Sequence, residues 1–143
     1  MGVTIKCKKT GRSCDLGCGG FNRFRCKVAN LCSEEFGKHY ETLDAGLSLH
    51  GEARTRFYED FDKETVRLIE EKKVNIKVAD FCLQSDCEGK IRYGACKVIY
   101  ESIKDYDDNV IYGYVGRPDR AMFRDLKAII KDCIDTKSDL VWW

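Results

Sequence analysis

Leu140-Val141-Trp142-Trp143, the C-terminal end of a 143-residue chain, decides how the rest is read. Two aliphatic and two aromatic residues in a row suit an extended strand. Such a strand needs a partner, and the opposite end of the chain supplies one. Val3-Thr4-Ile5-Lys6-Cys7 alternates loosely and carries β-branched residues, Lys8 to Arg12 provides a turn, and Ser13-Cys14-Asp15-Leu16 returns as a hairpin. The expectation is a small antiparallel sheet, built from the N-terminal hairpin and the C-terminal strand and packed against helices.

The segments between are mostly of helical period. Phe24, Val28, Leu31 and Cys32 recur at helical spacing from a start near Phe21, and Phe36 and Tyr40 continue the face. Gly37 argues against one unbroken helix there. Glu52 to Lys72 carries Phe57, Phe61, Thr65, Leu68 and Ile69 on one side. Ile76 to Leu83 is a shorter apolar segment that suits a helix or a strand. Cys96, Ile99, Tyr100 and Ile103 mark a further helix, and Met122, Phe123, Leu126, Ile130, Cys133 and Ile134 mark the last. Val110 to Val115 is a short strand or an irregular connection, and Gly116-Arg117-Pro118-Asp119 looks like a helix start. These readings give an α+β fold: a mainly helical single domain over residues 1–143, with about four helices and the small antiparallel sheet.

Composition narrows the function classes. The hydrophobic fraction of 43% is enough for a packed core. Lys and Arg number 25 against 24 Asp and Glu, a formal net charge of +1. That balance argues against extended nucleic-acid binding and leaves local patches as the place to meet an anionic partner. No run approaches the 18 apolar residues of a membrane span, and the first residues lack the apolar stretch of a secretory signal. A cytoplasmic protein is expected, with its nine cysteines as thiols.

The cysteine spacing contains no C-x2-C pair, so no metal and no cofactor is expected, and most of the thiols read as small core residues. Gln84 to Ile91 partly matches a calcium loop. With Gly89 at its sixth position, Asp86 and Glu88 fall at the third and fifth, but Gln84 stands first and Ala95 twelfth, where the loop needs acids. An acidic turn between helices is the simpler reading. His39 and His50 have no recognisable catalytic context, so no catalytic residue is assigned and a small enzyme ranks last. Gly17-x-Gly19-Gly20 lacks both the dinucleotide-fold and P-loop spacings. Even so, Arg23 and Arg25 beside it would suit an anionic partner. Arg117, Asp119 and Arg120, preceded by Tyr112 and Tyr114, have the tyrosine and arginine content that binding hot spots favour. Together with Asp86 and Glu88, these residues are the candidate binding surface.

Three segments also carry a resemblance: Leu16-Gly17-Cys18-Gly19-Gly20-Phe21-Asn22-Arg23-Phe24-Arg25, Gln84-Ser85-Asp86-Cys87-Glu88-Gly89-Lys90-Ile91, and Gly113-Tyr114-Val115-Gly116-Arg117-Pro118-Asp119. On these the chain resembles a family of small proteins carried by phages, prophages and mobile elements of Gram-positive bacteria. The chain departs from that pattern at Cys18, where an aromatic is expected, and at Glu88, where Asp is expected. The resemblance implies a context, a small accessory protein of mobile DNA in the bacterial cytoplasm, and no mechanism. The leading expectation is a non-enzymatic protein that binds a host protein and thereby antagonises host defence. The alternative is a sponge or sensor for a small anionic, nucleotide-like ligand held by the glycine turn and its arginines.

Overall fold

The computed structural model describes residues 2–113 and 120–143. The fold is α+β. Strand β1 (Thr4–Cys7) pairs antiparallel with β2 (Ser13–Asp15) on one side and with β4 (Leu140–Trp142) on the other. Ile5 stands opposite Cys14 and Trp142, so the N-terminal hairpin and the C-terminal strand meet as the alternation predicts. The pairing extends one residue further, because Thr4 and Trp143 exchange N–H···O bonds of 2.9 and 3.1 Å.

A fourth strand, absent from the sequence reading, completes the sheet. Strand β3 (Gly89–Ile91) lies along the free edge of β4, giving the order β2-β1-β4-β3. Its three residues leave the acidic turn directly, and Gly89 stands opposite Trp142.

Six α-helices form among the described residues, two more than expected: α1 (Gly17–Cys32), α2 (Glu34–Glu41), α3 (Gly51–Glu70), α4 (Ile76–Leu83), α5 (Tyr93–Ile103) and α6 (Phe123–Thr136). A 3-10 segment, Leu43–Ser48, links α2 to α3. One of the additions is Ile76–Leu83, which settles as a helix, with the Asn75 side chain accepting from the Lys77 N–H at 2.9 Å. The other comes from a break in the long first helix. It falls at Ser33 and not at Gly37. The Ser33 hydroxyl accepts from the Phe36 N–H at 3.2 Å, and Glu34 and Glu35 follow in the first turn of α2. Gly37 has a different role, since a Cβ there would collide with Asn30 where α2 folds back on α1.

Helix α1 begins at Gly17, four residues before the expected start, so the glycines form its first turn and not a separate loop. Helix α6 begins later than expected, at Phe123. Ile111 and Met122 first form an isolated antiparallel bridge, and the Met122 N–H donates to the Asp125 carboxylate at 2.8 Å. The proposed helix start at Gly116-Arg117-Pro118-Asp119 lies outside the described residues.

A continuous apolar cluster lies between sheet and helices, with Phe21, Phe24, Phe81, Phe123 and Trp142 fully buried at its centre. Phe21 and Phe81 flank Trp142 with ring centroids 5.4 and 5.5 Å away. Helix α3 joins this cluster only near its C-terminal end, through Leu68 with Ile69 packed beside it. It packs mainly against α2 and the 3-10 segment, and its only buried residues are Phe61, Thr65 and Leu68. None of the nine cysteines is in a disulfide. No helix among the described residues is long and apolar enough to cross a membrane.

Candidate functional site

Two of the segments singled out in the sequence meet in space. Helix α1 carries Phe21, Phe24, Arg25 and Val28 at i, i+3, i+4 and i+7, and all four turn inward. Arg25 is only 4% exposed. Its Nη1 donates to the carbonyls of Gln84 at 2.6 Å and Phe81 at 3.3 Å, and its guanidinium lies 4.7 Å from the centre of the Phe21 ring. Those carbonyls belong to the last turn of α4, where a helix leaves acceptors unmatched and favours a cation. Arg25 therefore caps α4 from the side. Its Nε is buried without a hydrogen-bond partner.

The acidic turn is held from three further directions. The Trp142 indole N–H donates to the Ser85 carbonyl at 2.9 Å. The Gln84 side chain donates to the Lys90 carbonyl at 2.8 Å and accepts from the Lys90 N–H at 3.2 Å, clamping α4 to β3. The Ser85 hydroxyl accepts from the Cys87 N–H at 3.1 Å. Glu88 is exposed and Asp86 half-buried. The result is a tied corner joining α1, α4, β3 and β4. Among the described residues no group of three His, Cys, Asp or Glu side chains is arranged to hold a metal ion.

Arg25 and Asp86 also share a pocket of about 280 Å³ with Glu41 and Asp44. Three carboxylates around one committed guanidinium make it a poor receptor for an anion. Arg23, exposed on the outer side of α1, is not among the residues that line it.

Tyr112 is not a surface residue. It is 4% exposed and packs between Phe24 and Phe123, with ring centroids 6.1 and 5.6 Å away. Burial, reinforced by Tyr106, pushes its phenol up to about 12. A Cβ on Gly20 would land on the Tyr112 carbonyl oxygen, so the close approach of this backbone accounts for a glycine in the first turn of α1. Arg120 is exposed and lines a separate basin of about 650 Å³, together with Arg12, Arg124, Asp15 and Asp125. Tyr114, Arg117 and Asp119 lie outside the described residues. The structure thus brings Arg25 and Asp86 together and separates them from Arg120, while Tyr112 belongs to the core.

His39 and Cys82 are taken up by packing, whereas His50, Cys18 and Cys87 are exposed. His39 stacks on Phe61 with centroids 3.9 Å apart, and its Nε2 shares a 2.8 Å hydrogen bond with the Thr65 hydroxyl, which itself donates to the Phe61 carbonyl. Burial lowers the pKa of this imidazole, against a smaller opposing pull from Glu64. Burial raises the Cys82 thiol. The Cys87 thiol donates to the Asp86 carboxylate at 3.5 Å.

A cluster that the sequence reading missed lies on the other side of α4. Lys77, Lys90, Arg92 and Lys97 line one pocket of about 550 Å³. They come from α4, β3 and the start of α5, and nothing in their local sequence joins them. Comparison with protein-family models, curated proteins and solved structures yields no match to this chain.

Proposed function

We propose that this is a binding protein without a reaction of its own, an accessory of a phage or mobile element that engages a host protein in the bacterial cytoplasm and antagonises host defence. The observation that supports this reading is helix α3. Residues 51–60, the first half of this 20-residue helix, include no buried side chain. Phe57 and Tyr58 rest against Gly46 of the 3-10 segment, and the other faces of this half offer a long surface that gains by being covered. The outer side of the helix's other, anchored half carries an apolar strip that continues into α4. Val66 is 51% and Ile76 62% exposed, and Ile69, Val74 and Ile76 line a groove of about 410 Å³ one turn from Val66. Asp62 and Lys63 lie one turn before Val66 on the helix and Lys72 lines the groove, so charge flanks the strip as a rim flanks the core of a protein interface.

An anionic ligand at the glycine turn is the weaker reading of that turn. Arg25 is occupied by two backbone carbonyls there, and the neighbouring pocket is rich in acids.

The test uses the V66D/I76D double variant, in which both changes fall on exposed positions and leave the core intact. Wild-type protein expressed in a defence-carrying host is expected to raise the plating of a defence-sensitive phage, and to retain a host protein on affinity capture. Both effects should be lost in the variant. If wild-type protein has no effect on plating, or the variant matches it in both readouts, the proposal fails.

A further inference from the structure

We propose that the pocket between α4, β3 and the start of α5 binds a small ligand carrying two or more linked phosphate groups. Lys77, Lys90, Arg92 and Lys97 line it and Asp80 is its one acid, in a chain whose net charge is only +1. None of the four cations has an ion-pair partner among the described residues, whereas Asp80 accepts a 2.9 Å hydrogen bond from Gln84. Like charges gathered without counter-charge repel one another, and an anion among them removes that penalty.

The detailed placement sharpens the ligand class. The Lys77 ammonium lies 3.4 Å from the position a Cβ on Gly94 would take, over the first turn of α5. That turn has no side-chain cap and no acidic residue, so a cation faces the positive end of a helix. The four cations carry the assignment, and the helix start adds donors and field of the same sign. A single monoanion would leave most of this charge unmatched, while a diphosphate spans several cations at once. Arg92 supplies a planar fork suited to phosphate oxygens, and the lysines act as movable point charges. Ile91, Ala95 and the ring of Tyr93, with Lys97 lying 5.4 Å over it, add an apolar wall. The volume falls in the range of small-molecule sites and exceeds what one ion needs.

The pocket shares no lining residue with the groove beside α3, although Lys77 directly follows Ile76, and the proposal does not rest on the protein-binding one. Calorimetric titration of the purified full chain with inorganic pyrophosphate, ATP and inorganic phosphate tests it. Pyrophosphate and ATP should bind measurably, and phosphate at least about tenfold more weakly, because it meets fewer cations at once. Their affinity should fall by about tenfold or more in K77E/K97E, and should weaken steeply as salt is raised from about 0.05 to 0.5 M. A milder variant, K90Q, is expected to show a smaller loss with the melting temperature unchanged. Absence of heat with both pyrophosphate and ATP would overturn the proposal, as would equal binding by wild type and K77E/K97E when both melt alike. A single-stranded oligonucleotide binding through the same residues more tightly than any small phosphate would also overturn it, in favour of a nucleic-acid surface.

Discussion

Replacing Arg25 with alanine separates a structural arginine from a ligand-binding one. The 2.6 Å bond from Nη1 to the Gln84 carbonyl is charge-assisted and contributes about 2 kcal/mol, and the 3.3 Å bond to Phe81 about 1. Contact with the Phe21 ring adds roughly 1–2 kcal/mol in a desolvated setting. The buried, unpartnered Nε offsets these by about 1–2 kcal/mol. R25A is therefore expected to lose about 3 kcal/mol, which in a domain of this size lowers the melting temperature by roughly 6–12 °C. R25M keeps the packing of the stem and removes the stranded Nε, so its loss should be smaller, about 1–2 kcal/mol, from the two unmatched carbonyls. Urea unfolding followed by tryptophan fluorescence is the assay, since Trp142 sits beside Phe21 and Phe81 in the same corner. If R25A unfolds within about 0.5 kcal/mol of wild type at an unchanged m-value, the guanidinium does not hold the corner together. Arg25 would then return to the candidate ligand residues.

Other perturbations probe neighbouring contacts. Gly20→Ala drives a methyl group into the Tyr112 carbonyl and should cost about 2 kcal/mol or more in the same assay; an unchanged midpoint would mean that the two backbones do not meet. Trp142→Phe keeps an aromatic ring but loses the indole hydrogen bond to Ser85, and is expected to destabilise by about 1–2 kcal/mol, read by circular dichroism in urea. His39 has a folded pKa below its unfolded value of 6.5, so the unfolded chain takes up its proton first and stability falls as pH drops through 6.5. The decline in melting temperature between pH 7.5 and 5.5 should therefore be shallower in His39→Phe, and an identical decline would remove His39 as its cause.

The parts of the fold that follow from short-range pattern were legible in the sequence. Alternation in Val3 to Cys7, the aromatic end at Leu140 to Trp143 and the apolar period from Phe123 to Ile134 each lead to the element found. Strand β3 escaped because Gly89-Lys90-Ile91 is too short to show a period, and it exists only because β4 offers an edge. The break at Ser33 had a local signal, a serine followed by Glu34 and Glu35, but the apolar face running on to Tyr40 obscured it. Gly20 had none, since the group that requires a glycine there is a backbone carbonyl far along the chain. Arg25 was misjudged although its position was informative. It shares a face with Phe21, Phe24 and Val28, and a charge on such a face is either a misfit or a cap for something buried. The basic pocket was invisible for a different reason. Its cations are ordinary surface residues of three elements, and only tertiary structure makes them neighbours.

The order β2-β1-β4-β3 puts the first and the last of these strands side by side at the middle of the sheet. During synthesis β1 is available early, yet it has only β2 beside it until Leu140–Trp142 has been made, and a lone hairpin is marginal in water. Helices α1 to α5 can assemble meanwhile, α1 on α2 locally and on α4 and α5 across the chain, so the sheet is the late event and its exposed core face must wait for it. The mutual bonds between Thr4 and Trp143 close that wait like a clasp. They also bring residue 143 beside residue 4, so a short bridge from 143 to 2 that keeps the buried Val3, with new ends opened at the exposed Lys72–Lys73 turn, would give a permuted chain that makes its central strand pair early.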